Sequence, residues 1–264
     1  MQIHKVEHLS ASSIKAFKQC PFKFFLNYVL KIRMPSSYPA DLGSFVHDIF
    51  EQMAKDRIDI TNWEDYARPK VSSLYQIAKE DKNKKPQDVW TDVDWLVHSV
   101  LDRPDEFNPL TWNILAAEKE FKETLPSAGN CTIKGFMDLV VEIDKDTLLI
   151  LDWKTGKFAL SQKEAHRDPQ VLMYRIAAEI LYPGYKYYEV CLDYLQKRPV
   201  WIAPTDKMVS GAKVSLSRYW KRLTAMSDVP NRIEEPTFRC KCLCNRKICD
   251  ACWKKYLNGM LMDE

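Results

Sequence analysis

Leu148-Leu149-Ile150-Leu151 is an unbroken apolar run that ends in Asp152-Trp153-Lys154, and it constrains the fold of this chain more than any other stretch. Four consecutive apolar residues suit a strand buried on both faces. Upstream, Gly135 to Ile143 is a second strand-like run, and Asp144-Lys145-Asp146 between the two reads as a turn. Together they predict an antiparallel hairpin. With the turn centred on Lys145, Asp138 faces Asp152 directly across the ladder, their Cβ atoms roughly 4.5–5.5 Å apart. Lys154 lies two positions beyond Asp152 and therefore on the same face. A carboxylate at the end of a buried strand is costly unless paired or metal-bound. Two acids and a lysine pinned to rigid strands make a site for a hard divalent cation beside a cation that meets a phosphate. Read without context, the same residues also suit a charged pair on a solvated hairpin face.

Composition narrows the class. With 264 residues, 46% of them hydrophobic, the chain can bury a sizeable core in one domain. No apolar run reaches the length of a membrane span, and Met1-Gln2-Ile3-His4-Lys5 lacks a signal peptide's apolar core. The expectation is a cytoplasmic protein with no membrane partner. A net charge of +3 does not by itself indicate nucleic acid. The basic clusters Lys82-Lys84-Lys85, Lys221-Arg222 and Arg239-Lys241-Arg246-Lys247-Lys254-Lys255 form a phosphate track only if they share a groove. Eight cysteines in a cytosolic chain point to metal or cluster ligation rather than disulfides. Five of them crowd the tail: Cys240, Cys242, Cys244, Cys249 and Cys252. Cys131 and Cys191 fall in apolar strand patterns and read as structural. Thr155-Gly156-Lys157-Phe158 is not a phosphate-binding ATPase loop, so no ATP-driven motor is expected here.

Along the chain, Ser10 or Ser12 is the expected N-cap of a helix reaching Tyr28. A second helix is expected over 41–55, with His47 and Glu51 one turn apart on one face. Residues 62–103 read as two or three helical pieces broken near Lys85-Pro86, with Trp90 and Trp95 in the core. Strands follow over 113–123, 131–143 and 147–154. Asp168-Pro169 marks an N-cap and first-turn proline for a helix reaching Leu181. Gln170 and Tyr174 share one face of it. Further strands over 187–196 and 200–203 precede a helix over 206–226. This order gives an α/β fold, a mixed central sheet flanked by helices. The expected organisation is one domain over 1–264: a helical part (9–112), a catalytic sheet core (113–204), and a helix with a cysteine-rich tail (205–264).

Gly135-Phe136-Met137-Asp138, then Leu151-Asp152-Trp153-Lys154-Thr155-Gly156, then Gln170-x-x-x-Tyr174 resembles the RecB-like branch of the PD-(D/E)XK nucleases. Leu9-Ser10-Ala11-Ser12-Ser13-Ile14-Lys15-Ala16-Phe17, followed by Cys20-Pro21-Phe22-Lys23-Phe24-Phe25, is similar to the same branch. Gly43-Ser44-Phe45-Val46-His47 resembles its helix carrying a metal-binding histidine. All five motifs stand in family order, and AddB nuclease domains with CRISPR-associated and phage RecB-like exonucleases look most alike.

The resemblance implies Mg²⁺ or Mn²⁺ held by His47, Asp138, Asp152 and the backbone carbonyl of Trp153. Lys154 would orient or deprotonate the attacking water, or stabilise charge on the phosphate, with a nearby ion favouring a lowered pKa. Glu118 matches a family glutamate near the metal and fits better than Glu120. Gln170 and Tyr174 would position DNA or the catalytic lysine. In iron–sulfur members, one N-terminal and three C-terminal cysteines hold a [4Fe–4S] cluster. That role would fall here to Cys20 with Cys244, Cys249 and Cys252; Cys240 or Cys242 could replace Cys244. The irregular tail spacing leaves a structural Zn²⁺ open as the alternative. The implied function is a metal-dependent DNA exonuclease acting on single-stranded or frayed ends, in recombination and repair, phage replication or CRISPR adaptation. Its partners would be DNA and a helicase or a recombination or adaptation protein, in an oligomeric state the sequence does not indicate. The alternatives are a structure-specific endonuclease and a non-catalytic nucleic-acid-binding protein with structural zinc.

Overall fold

A computed structural model describes residues 4–32, 36–81, 84–226 and 249–250 of the chain. The described elements run α1 (Ala11–Gln19), α2 (Pro21–Phe24), α3 (Tyr38–Ala54), α4 (Trp63–Ala67), α5 (Ser72–Glu80), α6 (Val89–Leu101), β1 (Ile114–Leu125), β2 (Cys131–Asp144) and β3 (Thr147–Lys154). They continue with α7 (Gln162–Ala165), α8 (Pro169–Leu181), β4 (Tyr187–Tyr194), β5 (Val200–Ile202) and α9 (Asp206–Thr224). Two compact units emerge, one from residues before 36, 122–134 and 212 onward, the other from 36–121 and 135–211.

In the first unit, Ser10 caps α1 by a reciprocal box: its hydroxyl accepts from Ser13 N–H, and its own N–H donates to Ser13 Oγ at 2.9 Å. The single helix expected through Tyr28 does not form. Cys20 is extended at φ −162°, ψ 115°, because the following Pro21 disfavours a helical conformation there. A fresh helical turn starts at Pro21 and passes into a π-helical stretch, Phe25–Val29. Phe17 packs edge-on to Phe24 and Tyr219, while Arg222 lies 4.8 Å from its ring centre.

The second unit carries the functional face. All five strands form one sheet in the order β1-β2-β3-β4-β5. The β2–β3 hairpin is antiparallel and pairs Leu139 with Leu151 and Val140 with Ile150, the register expected from a turn at Lys145. β3 runs parallel to β4, and the α7–α8 crossover makes the return. β5 closes the edge antiparallel to β4. Residues 148–153 of β3 are buried without interruption, as the apolar run requires. Leu149, Leu151 and Trp153 project to one face and join Val46, Ile49 and Phe50 of α3 and Val93, Leu96 and Val97 of α6 in a single core. α8 packs against β3 and β4.

One expectation fails within this layer for a positional reason. The buried stripe of α6 is Val89, Val93, Leu96, Val97 and Val100, so Trp95 falls off it and is 52% exposed rather than in the core. Trp90 is only partly buried and stacks on Trp63, ring centres 5.5 Å apart. Lys84, expected in a basic cluster, is ion-paired with Asp92. No helix among the described residues is long and apolar enough to cross a membrane.

Candidate active site

Three elements deliver polar groups to the hairpin's end. Continuing the β2–β3 register one step past Leu139 and Leu151 sets Asp138 opposite Asp152. Both are nearly inaccessible, at 6% and 2% exposure. α3 brings His47 within 3.3 Å of Asp138 Oδ2, and the Trp153 N–H donates to that oxygen at 2.7 Å. β1 adds Glu118, whose φ of 49° is left-handed. For a glutamate inside a strand this conformation is unusual and costs about 1 kcal/mol or more, a strain typical of functional positions. Ligand atoms of His47, Glu118 and Asp138 all lie within 4.8 Å of one another.

Asp152 is held on its other side. Its Oδ1 accepts from Tyr174 Oη at 2.7 Å and from Gln170 Nε2 at 2.8 Å, while Lys154 Nζ forms an ion pair with Oδ2. Gln170 also accepts from Lys154 Nζ at 3.0 Å and donates to Tyr174 Oη at 2.8 Å. The Gln170 and Tyr174 pair therefore clamps both the acid and the ammonium.

Charge explains the remaining chemistry. Burial alone would lower the His47 pKa, but the facing Asp138 carboxylate overcomes this and lifts it to about 9. Burial, reinforced by Asp138, pushes Glu118 up to about 7. Asp138 is itself raised, by burial and by Asp152, against the pull of His47. Lys154 loses some basicity to burial, yet Asp152 more than restores it, so its pKa is raised. That direction is opposite to the lowering expected beside a bound ion, because the charge next to the ammonium is the Asp152 carboxylate. Burial and Asp152 keep Tyr174 a neutral donor.

The donor set suits a hard divalent cation: carboxylate oxygens and an imidazole, with three acids crowded against two cationic side chains. Asp152 Oδ2 is buried and accepts no hydrogen bond, leaving one oxygen with only the Lys154 ion pair. Asp152, expected among the ligands, is engaged by Lys154, Gln170 and Tyr174, while its Oδ2 faces no hydrogen-bond donor other than the Lys154 ion pair. Glu118 takes the place beside Asp138. Trp153 contributes its N–H to Asp138 and its ring to Phe50, 4.5 Å between centres.

A cleft of about 530 Å³ opens onto this cluster, walled by His47, Glu51, Glu118, Lys154, Thr155 and Gly156. Glu51 stands one turn from His47, as the spacing predicts, and Thr155 directly follows the Asp152-Trp153-Lys154 motif. A Cβ on Gly43 would lie 2.8 Å from Thr155 Oγ1, so this glycine lets α3 approach the end of β3. Gly43→Ala is expected to cost about 1–3 kcal/mol and to lower activity several-fold by moving His47, four residues on. Thermal melts alongside initial rates check both.

Of the cysteines, Cys20 is buried, Cys131 and Cys191 are buried thiols held protonated, and Cys249 is half-buried. The tail positions Cys240, Cys242, Cys244 and Cys252 lie outside the described residues, and with them the cluster or zinc site expected there.

The PD-(D/E)XK nuclease superfamily profile matches residues 8–240. The chain belongs to this superfamily. Relatives include one of the subunits of the ATP-dependent helicase/deoxyribonuclease of Clostridioides difficile (strain 630), 22% identical over 64% of this chain and 18% of the relative. Its counterpart from Clostridium perfringens (strain SM101 / Type A) is 24% identical over 63% of this chain and 17% of its own length. The chain thus spans less than a fifth of these relatives. A candidate exonuclease from Eubacterium rectale, known from its crystal structure, shares the fold with a TM-score of 0.54 at 13% identity, covering 90% of this chain and 94% of that one. The superfamily membership and its mixed α/β core agree with the sequence motifs.

Proposed function

We propose that this nuclease-superfamily chain is a divalent-metal-dependent DNA exonuclease acting on single-stranded or frayed ends. The observation that supports this most is the gathering of His47, Glu118 and Asp138 ligand atoms within 4.8 Å, next to the clamped Asp152–Lys154 pair. His47, Glu118 and Asp138 would hold the ion, with Asp152 Oδ2 able to join them. A bound Mg²⁺ or Mn²⁺ supplies an activated water and charge neutralisation at the phosphate.

The side chains do the rest. Lys154, kept protonated by Asp152, presents an ammonium to a non-bridging phosphate oxygen as negative charge builds there. Gln170 fixes that ammonium from its far side, and Tyr174 keeps Asp152 from turning away. His47 and the Trp153 N–H fix the Asp138 carboxylate. Helicase work would fall to a partner, as the names of the relatives suggest.

End-labelled linear DNA and covalently closed circular single strands, each incubated with Mg²⁺ or Mn²⁺ and with a chelator, test the proposal. Loss of the linear strand only, stopped by the chelator, is expected. Cutting of circles would make the chain an endonuclease, and inert protein that still binds DNA would make it a binding module.

A further inference from the structure

Phe158 is 93% exposed, the most exposed of the large apolar side chains among the described residues. A phenyl ring in water forfeits the gain that burying it would bring, so a partner for it is the question its position raises. The segment carrying it is fastened on both sides. Thr155 O accepts from Gln196 Nε2 at 2.6 Å, and the Leu160 N–H donates to Tyr194 Oη at 3.1 Å. Ser161 then opens α7 through a capping box with Glu164. The ring therefore stands out from a short span pinned to the far end of β4.

Its place relative to the cleft follows from the chain itself. Thr155 and Gly156 wall the cleft that also holds His47, Glu118 and Lys154. Phe158 is two residues further, within about 7 Å of Gly156 along an extended backbone. A Cβ built on Gly156 meets no atom within 4 Å, so the space above the strand's end is open. Lys157, also exposed, adds a cation beside the ring.

We propose that Phe158 is a stacking platform for an unpaired nucleobase flanking the scissile phosphate, an inference that rests on the nuclease reading above. Every base offers a π-face, so such a contact tolerates any sequence. A base inside a duplex already has both faces covered by its neighbours. The ring can engage only a base that is single-stranded or frayed, which makes Phe158 a selector for unpaired ends rather than a catalytic residue.

Steady-state hydrolysis of short single-stranded oligonucleotides with Mn²⁺ tests this, using wild type, Phe158→Ala and Phe158→Trp on intact strands and on strands with abasic residues near the cut. Phe158→Ala is expected to raise KM on the order of ten- to a hundredfold, the factor that base stacking contributes, with kcat nearly unchanged. Phe158→Trp should retain wild-type KM. Abasic strands should penalise wild type by the same factor and Phe158→Ala hardly at all. An unchanged KM in Phe158→Ala, or an undiminished abasic penalty in that variant, overturns the inference. Anisotropy of fluorescein-labelled strands carries the same comparison without turnover. A wild type that binds but never cuts would overturn the nuclease reading, and anisotropy would still decide the role of Phe158.

Discussion

Asp138→Asn should lower the rate of DNA hydrolysis about a thousandfold while the protein stays folded. The carboxylate it removes is the one shared by His47, the Trp153 N–H and the candidate ligand group. An amide keeps the volume and can still accept from Trp153, so the local packing survives. What goes is the negative charge. A metal at such a site supplies several kcal/mol of charge stabilisation in the transition state, and each loss of about 1.4 kcal/mol is tenfold in rate. Stability should change little, within about 1 kcal/mol, because a buried acid crowded by Asp152 is replaced by a neutral group. His47 would lose the charge that lifts it to about 9, and its titration should move down. Initial rates, a thermal melt and the histidine's NMR titration read the three effects separately. A variant retaining a tenth of wild-type activity would show that Asp138 is not the pivot.

Lys154→Met should be nearly as severe for turnover and worse for stability. Methionine matches the length of the stem but brings no charge to the phosphate. The loss expected is about 10²- to 10⁴-fold in kcat, the range of a positioned proton-handling or charge-stabilising side chain. Asp152, 2% exposed, would then face its buried surroundings with only Gln170 and Tyr174 as donors. Breaking a buried ion pair typically costs about 3–5 kcal/mol; the two remaining donors and the partial exposure of Lys154 put this case at the lower end. Denaturant unfolding measures that cost, and single-turnover kinetics measure the chemical step. Full activity in this variant would leave Lys154 a structural counter-ion to Asp152.

Much of the frame behind these expectations was written in local sequence. The Leu148–Leu151 run, the Asp144-Lys145-Asp146 turn and strict alternation fixed one register, and the structure adopts it. Asp168-Pro169 marked the start of α8 correctly, because an Asx cap and a first-turn proline act over a single turn. Features that depend on elements meeting in space were not legible. The left-handed Glu118 lies in an ordinary-looking strand sequence, and nothing in it announces the turn of the backbone toward Asp138. Clamping of Asp152 by Gln170 and Tyr174 depends on how the crossover seats α8. Spacing showed only that those two share a face. Two departures from the expected elements follow from local rules. Pro21 restrains Cys20 and divides the first helix, and Trp95 lies off the buried stripe of its own helix.

The proposed chemistry requires that His47, Glu118 and Asp138 form one divalent-cation site. Calorimetric titration of Mn²⁺ into the metal-free protein tests it most directly, with wild type set against His47→Ala, Glu118→Gln and Asp138→Asn. Wild type should bind at a site that each substitution weakens at least about tenfold. Its affinity should tighten as pH rises toward 9, since the His47 proton has to leave before the imidazole can ligate. Equal Mn²⁺ affinity in all four proteins, with no dependence on pH, would rule out a cation site built from these three residues.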